Sequence, residues 1–307
     1  MKCAIARLTC LHSKSQLIET KTMQAITLKT NNNVDIQGYW FTPQGLGENP
    51  IKGQIVIASA MGVAQAYYRP IAEWLTEQGF CVLTFDCSGM GKSKDKHLKD
   101  YQCNILDWVT QDYSAALQFV LNNDSTSPIY WLGHSLGGQV FPLVHNIEQV
   151  SKVITVSSGT VYWKHNAPAL RKKAPFFWHF IMPVATSLFG YFPGKKIGMV
   201  GDLPKQVMYQ WRRWCLHPEY CVGVESQSVK NRFQEIEVPL VSITFTDDEM
   251  LSLTNMRDLH ALFGHENKEL KEVHPKEVGE KRIGHLGFFR EKFKHNLWPK
   301  LLLSELN

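Results

Sequence analysis

Gly133-His134-Ser135-Leu136-Gly137 sets a serine between two glycines directly after the apolar run 128–132. A serine in that setting becomes a nucleophile if a sharp strand-to-helix turn exposes its hydroxyl, and small residues two before and two after it let the turn pack without Cβ clashes. The run 128–132 predicts the strand entering the turn and 136–146 the helix leaving it, with Pro142 kinking or shortening that helix. A serine hydroxyl is a weak nucleophile near neutral pH, so acyl transfer needs a neutral imidazole as base and a carboxylate to orient it. Asp247 and Asp248, with Glu249 beside them, follow the apolar run 240–245. That is where a doubly wound sheet places reactive groups, just past the carboxyl end of a buried strand.

Of twelve histidines, His285 is the candidate base, because Gly284 and Gly287 flank it in a loop before a final apolar helix; His274 is the second choice. His134, inside the serine motif, is expected to point away from the site. His145, His179 and His260 lie in helical stretches and read as packing or surface residues. The developing oxyanion needs two donors, expected from the backbone N–H of Leu136 and from the loop 59–63, where Met61 is favoured.

These groups need a scaffold. Residues 24–29 and 34–41 alternate polar and apolar side chains around Asn31-Asn32-Asn33 and predict an antiparallel hairpin. The runs 54–58, 80–85, 128–132, 153–157 and 240–245 do not alternate, as expected of strands buried on both faces. Helical patterns at 68–78 and 105–121 separate several of them, which predicts an α/β fold with a mostly parallel, doubly wound sheet. After Ser158 the alternation stops, and residues 159–235 read as an inserted helical cap. The expected organisation is an extension over 1–22, a core over 23–158 and 236–307, and that cap.

Composition excludes several other classes. The formal net charge is only +5, from 33 Lys and Arg against 28 Asp and Glu, with no long basic tract; nucleic acid is not an expected partner. Arg171-Lys172-Lys173 and Lys195-Lys196 read as solvated surface. Seven scattered cysteines fit a reducing cytoplasm better than a disulfide framework, and no close pairs suggest a metal site. The apolar stretch 176–192 is shorter than the ~20 residues of a membrane span. It reads as packed helices of a buried insertion rather than as a span or a lipid-touching lid. Its aromatic content, with Trp163, Trp211 and Trp214 nearby, suits an apolar acyl or aryl pocket.

The set Asp86-Cys87-Ser88-Gly89-Met90-Gly91-Lys92-Ser93, Gly133-His134-Ser135-Leu136-Gly137-Gly138 and Gly284-His285 resembles the α/β-hydrolase superfamily from about Met23 onward. Tyr191-Phe192-Pro193-Gly194-Lys195-Lys196 and Trp211-Arg212-Arg213-Trp214-Cys215 are similar to bacterial hydrolases allied to the serine aminopeptidase and monoglyceride lipase group. The resemblance implies an α/β-hydrolase fold and the order serine, acid, histidine, with Asp248 favoured over Asp247 as the acid. It further implies hydrolysis of an ester, thioester or amide with no metal or organic cofactor, while the aromatic segment itself points to a small-molecule, lipophilic acyl substrate. Ser59-Ala60 stands where many relatives carry His-Gly. A non-catalytic ligand-binding protein on the same fold is the alternative from another class.

Overall fold

A computed structural model describes residues 23–44, 50–199 and 201–306, so the expected extension over 1–22 lies outside the described residues. Eight strands, β1 (Met23–Lys29), β2 (Asp35–Phe41), β3 (Gly53–Ala58), β4 (Phe80–Phe85), β5 (Ile129–His134), β6 (Lys152–Val156), β7 (Leu240–Phe245) and β8 (Lys268–Val273), form one sheet in the order 1-2-4-3-5-6-7-8. The β1–β2 and β2–β4 pairs are antiparallel and every later pair is parallel. The hairpin closes where the Thr30 N–H donates to the Val34 carbonyl at 3.0 Å. Asn33 takes the left-handed conformation there, with φ 60°, a conformation asparagine tolerates.

Every residue of β3, β4, β5 and β7 is buried, which explains the missing alternation. Side chains still divide by parity between the two faces. Val56, Leu83, Trp131 and Val153 join one core cluster; Ile55, Ile57, Val82, Leu132 and Ile154 join the other. The sequence reading does not anticipate β8, whose six residues KELKEV include four charges, a composition suited to an exposed sheet edge.

Helix α1 (Arg69–Glu77) covers the second cluster with Ile71 and Leu75. On the other face, α2 (Ile105–Asp107) runs through a wide π turn, Trp108–Tyr113, into α3 (Ser114–Asn123). The helix expected over 136–146 is much shorter. Helix α4 (Leu136–Gln139) stops after one turn and Pro142 sits in a separate tight turn, Phe141–Leu143; proline lacks the N–H that a continuing helix would use. The expected final apolar helix is likewise replaced by short turns, among them Gly287–Phe289 and Trp298–Leu302.

Between β6 and β7 the chain is mostly helical, with α5 (Pro168–Phe176), a π turn over Phe177–Ile181, α6 (Met182–Phe189), α7 (Lys205–Leu216) and α8 (Gln227–Glu235). Gln210 of α7 ties this segment down, because its Oε1 accepts from the Ile105 N–H at 2.7 Å and so satisfies an otherwise open donor at the start of α2. Tyr220 donates to Gln139 Oε1 of α4 at 2.6 Å. Helix α9 (Leu253–Leu262) follows β7 and begins on a capping box at Ser252. Among the described residues no helix is long and apolar enough to cross a membrane.

Candidate active site

Strand β5 delivers Ser135 into a turn with φ 49° and ψ −111°, a region L-residues rarely occupy and one that persists only where the surroundings enforce it. The enforcement is visible. The Ser135 N–H donates to the Val156 carbonyl at 3.0 Å, and Ser158 Oγ donates to the Ser135 carbonyl, also at 3.0 Å. The two flanking glycines are required by contact. A Cβ on Gly133 would lie 2.5 Å from the Gly137 carbonyl oxygen, and one on Gly137 would overlap the Ala58 carbonyl.

His285 Nε2 lies 3.2 Å from Ser135 Oγ, and His285 Nδ1 lies 2.7 Å from Asp248 Oδ2. The other Asp248 oxygen accepts from the N–H groups of Met250 and Leu251, each at 2.8 Å. Three donors thus converge on one buried carboxylate. Nδ1 is the hydrogen-bearing nitrogen in this arrangement, which leaves Nε2 as the acceptor facing the serine hydroxyl.

The two neighbouring acids hold the histidine loop. Asp247 accepts from the Ile283 and Gly284 N–H groups at 2.8 and 3.2 Å. Glu249 accepts from the His285 N–H at 3.1 Å and lies 3.6 Å from the Arg282 guanidinium. Partial burial works against ionisation of Glu249, but its own N–H, the His285 N–H and the Arg282 charge outweigh it and hold its pKa below the ordinary value. Neither side chain touches the imidazole nitrogens. His274 is exposed and caps its own turn by accepting from the Lys276 N–H, so the structure does not bring it to Ser135.

His134 does point away from Ser135, but its position has a role that the sequence reading misses. Tyr68 Oη accepts from the Ala60 N–H at 2.8 Å and lies 2.8 Å from His134 Nδ1, while His134 Nε2 lies 3.0 Å from the His285 carbonyl oxygen. Donor and acceptor capacity fix the order: Tyr68 donates to Nδ1, and Nε2–H donates to the carbonyl. Burial, with His285 close by, pushes the His134 pKa down to about 3, so this imidazole stays neutral. One line of hydrogen bonds therefore links the loop after β3, the serine turn and the histidine loop. A signal was available, since His134 closes a run of otherwise apolar or small residues and a buried imidazole needs partners.

Beside Ser135 and His285 lies a cavity of about 30 Å³ walled by Met61, Val63, Val161, Trp211, Met250 and Leu286. Among the described residues no carboxylate or ammonium lines it. Val161 holds φ 52°, a strained value for a β-branched residue. Gly159–Tyr162 is clamped there, the Thr160 N–H donating to the Asn255 carbonyl at 2.9 Å and Asn255 Nδ2 to the Tyr162 carbonyl at 3.2 Å. A larger cavity, of about 540 Å³, opens between the β1–β2 turn and α2 and contains Asp112 and Cys103. It contains no member of the Ser135 cluster.

The family model described as serine aminopeptidase, S33, matches residues 49–212, more than half of the chain. The chain belongs to this family. The match covers the serine motif and stops before Asp248 and His285. Over 119 residues, 38% of the chain, the sequence is 29% identical to the uncharacterized protein YfhR of Escherichia coli K12; the match spans 39% of that relative's length. Similar solved structures include a soluble variant of monoglyceride lipase from Saccharomyces cerevisiae, with TM-score 0.58, 16% identity and coverage of 88% of this chain and 90% of that one. A Pyrococcus furiosus esterase gives TM-score 0.57 at 17% identity over 98% and 94% of the two chains. The monoacylglycerol lipase of Paleococcus ferrophilus gives 0.56 at 15% identity over 88% and 98%. These likenesses show the α/β-hydrolase fold.

Proposed function

We propose that this family member hydrolyses carboxylic esters through a Ser135–His285–Asp248 triad and an acyl-enzyme. The observation carrying the proposal is the unbroken line from Asp248 Oδ2 through His285 to Ser135 Oγ, with spacings of 2.7 and 3.2 Å, ending on a serine in a strained turn. His285 Nε2 takes the hydroxyl proton as Oγ attacks the acyl carbon, and Asp248 stabilises the imidazolium without itself taking the proton. The proton then passes to the leaving alkoxide, and a water attacks the acyl-enzyme by the same route.

The oxyanion falls to the N–H groups of Leu136 and Met61. Among the described residues neither donates to another protein group, whereas the Ala60 N–H is already engaged by Tyr68. Residues 159–235 act as the cap and contribute Val161 and Trp211 to the acyl site. The wholly uncharged wall beside Ser135 favours an apolar acyl group over an aminoacyl one, because an α-ammonium buried there would be unpaired.

The test uses p-nitrophenyl esters of graded chain length and aminoacyl p-nitroanilides on wild type and Ser135→Ala. Ester turnover should fall at least about 10³-fold in the variant, and labelling of Ser135 by a fluorophosphonate should vanish. Near wild-type turnover in Ser135→Ala ends the triad proposal. A kcat/KM higher for the anilides than for every ester replaces the esterase reading with an aminopeptidase one.

A further inference from the structure

Helices α5 and α6 with the π turn between them run from Pro168 to Phe189 and carry two stripes, one buried and largely apolar, the other apolar and exposed. Ala174, Trp178, Met182 and Thr186, spaced every fourth residue, are buried. Phe176, Phe180, Val184 and Leu188, with the same spacing and offset by two residues, are 63%, 61%, 63% and 77% exposed. An offset of two residues puts the second stripe on the opposite side of the helix, since each residue turns it by about 100°. The helix therefore buries one apolar face in the protein and presents a second to solvent. Phe176 and Phe180 stack on one another with ring centroids 5.7 Å apart, so the two rings form one continuous apolar patch.

Charge singles out the same segment. Residues 159–200 contain six Lys or Arg and no Asp or Glu, leaving 27 basic against 28 acidic residues in the rest of the chain. The whole positive excess thus belongs to the stretch holding the exposed stripe. Arg171-Lys172-Lys173 and Lys195-Lys196 are exposed at either end of it, and Lys196 Nζ sits 4.4 Å from the Phe189 ring centroid.

We propose that this face docks on an anionic lipid bilayer. The stripe reaches below the headgroups while the basic clusters meet lipid phosphates, the arrangement of an interfacial helix. A soluble partner would need a long apolar strip bordered by acid at both ends, whereas an anionic leaflet supplies both chemistries at any position. The docking does not depend on the esterase reading.

The test is co-flotation of the full chain with vesicles of phosphatidylcholine alone or mixed with phosphatidylglycerol. Wild type should partition onto the mixed vesicles roughly tenfold more than onto phosphatidylcholine, an advantage lost at high salt. Two variants should each lose that binding roughly tenfold or more: F176S/F180S/V184S/L188S and K172E/K173E/K195E/K196E. Both should keep the wild-type unfolding midpoint and hydrolysis of a short soluble ester. Failure of wild type to float, or equal flotation on both vesicle types, overturns the proposal. So does a wild-type dimer that the apolar variant converts to monomer without any vesicle binding, which would assign the face to a second copy of the chain.

Discussion

Asp248 and Asp112 are both almost fully buried, at 6% and 2% exposure, yet their hydrogen-bond partners differ. Asp248 receives two backbone N–H groups and an imidazole. Among the described residues Asp112 receives only the N–H and hydroxyl of Ser88, at 2.7 and 3.1 Å. Burial dominates at Asp112 and pushes its pKa up to about 7 despite both bonds from Ser88. A buried carboxylate is therefore not a site by burial alone; a basic group placed to share its charge makes the difference.

The comparison is most strongly tested by amidation. Asp248→Asn should lower kcat on a short ester about 10⁴-fold by misorienting His285, while Asp112→Asn should leave kcat within about twofold. Equal losses would erase the distinction.

Stability against pH tests the other side. The Asp112 pKa in the folded state is raised, so between about pH 4 and 7 the native chain keeps a proton that the unfolded chain has released. Its contribution is complete below about pH 4 and is lost as pH rises through 7. The loss is bounded at on the order of 4 kcal/mol by a rise from 3.8 to about 7. Denaturant titrations across that range should show this decline in wild type, and a correspondingly smaller one in Asp112→Asn.

Asp247→Ala sharpens the contrast among the three consecutive acids. Removing the acceptor for the Ile283 and Gly284 N–H groups should cost about 1.5–3 kcal/mol of stability and lower kcat roughly tenfold through the loosened histidine loop. Thermal unfolding and initial rates measure both. A kcat loss matching that of Asp248→Asn would make Asp247 the triad acid.

The smallest effect concerns shape rather than charge. In Val161→Gly, relief of backbone strain worth about 1–3 kcal/mol offsets a similar loss of burial. Stability should therefore stay within about 1 kcal/mol of wild type while ester preference moves to longer acyl chains. An unchanged chain-length profile would remove Val161 from the acyl wall.

The elements carrying Ser135 and the acids were legible because buried parallel strands leave unbroken apolar runs, whereas the order of Ser135, the acidic pair and His285 came from the α/β-hydrolase resemblance rather than from local spacing. The choice between Asp247 and Asp248 was not contained in local residue types. It depends on which carboxylate meets the His285 ring, since Asp247 also faces the same loop through the Ile283 and Gly284 N–H groups, a relation across about forty residues. Strand β8 escaped notice because an edge strand is written in charges rather than apolar residues. The exposed Phe176 stripe was misread as wholly packed because sequence gives the spacing of apolar residues but not which face finds a neighbour. Aromatic segments therefore have two meanings until tertiary contacts separate them.

The cavity beside Ser135, about 30 Å³, has room for a water molecule or two and for no acyl chain. If Ser135 is acylated as proposed, an acyl chain must displace the wall formed by Val161 and Trp211, and binding would then be linked to the opening of that wall. Apparent substrate affinity scales with the open fraction, so two esters with identical chemistry at the carbonyl can differ in rate through the population they select. Substitutions far from Ser135, at Gln210 or Tyr220 where the helical segment is fastened, would then act on KM by shifting that population, leaving the chemical step unchanged.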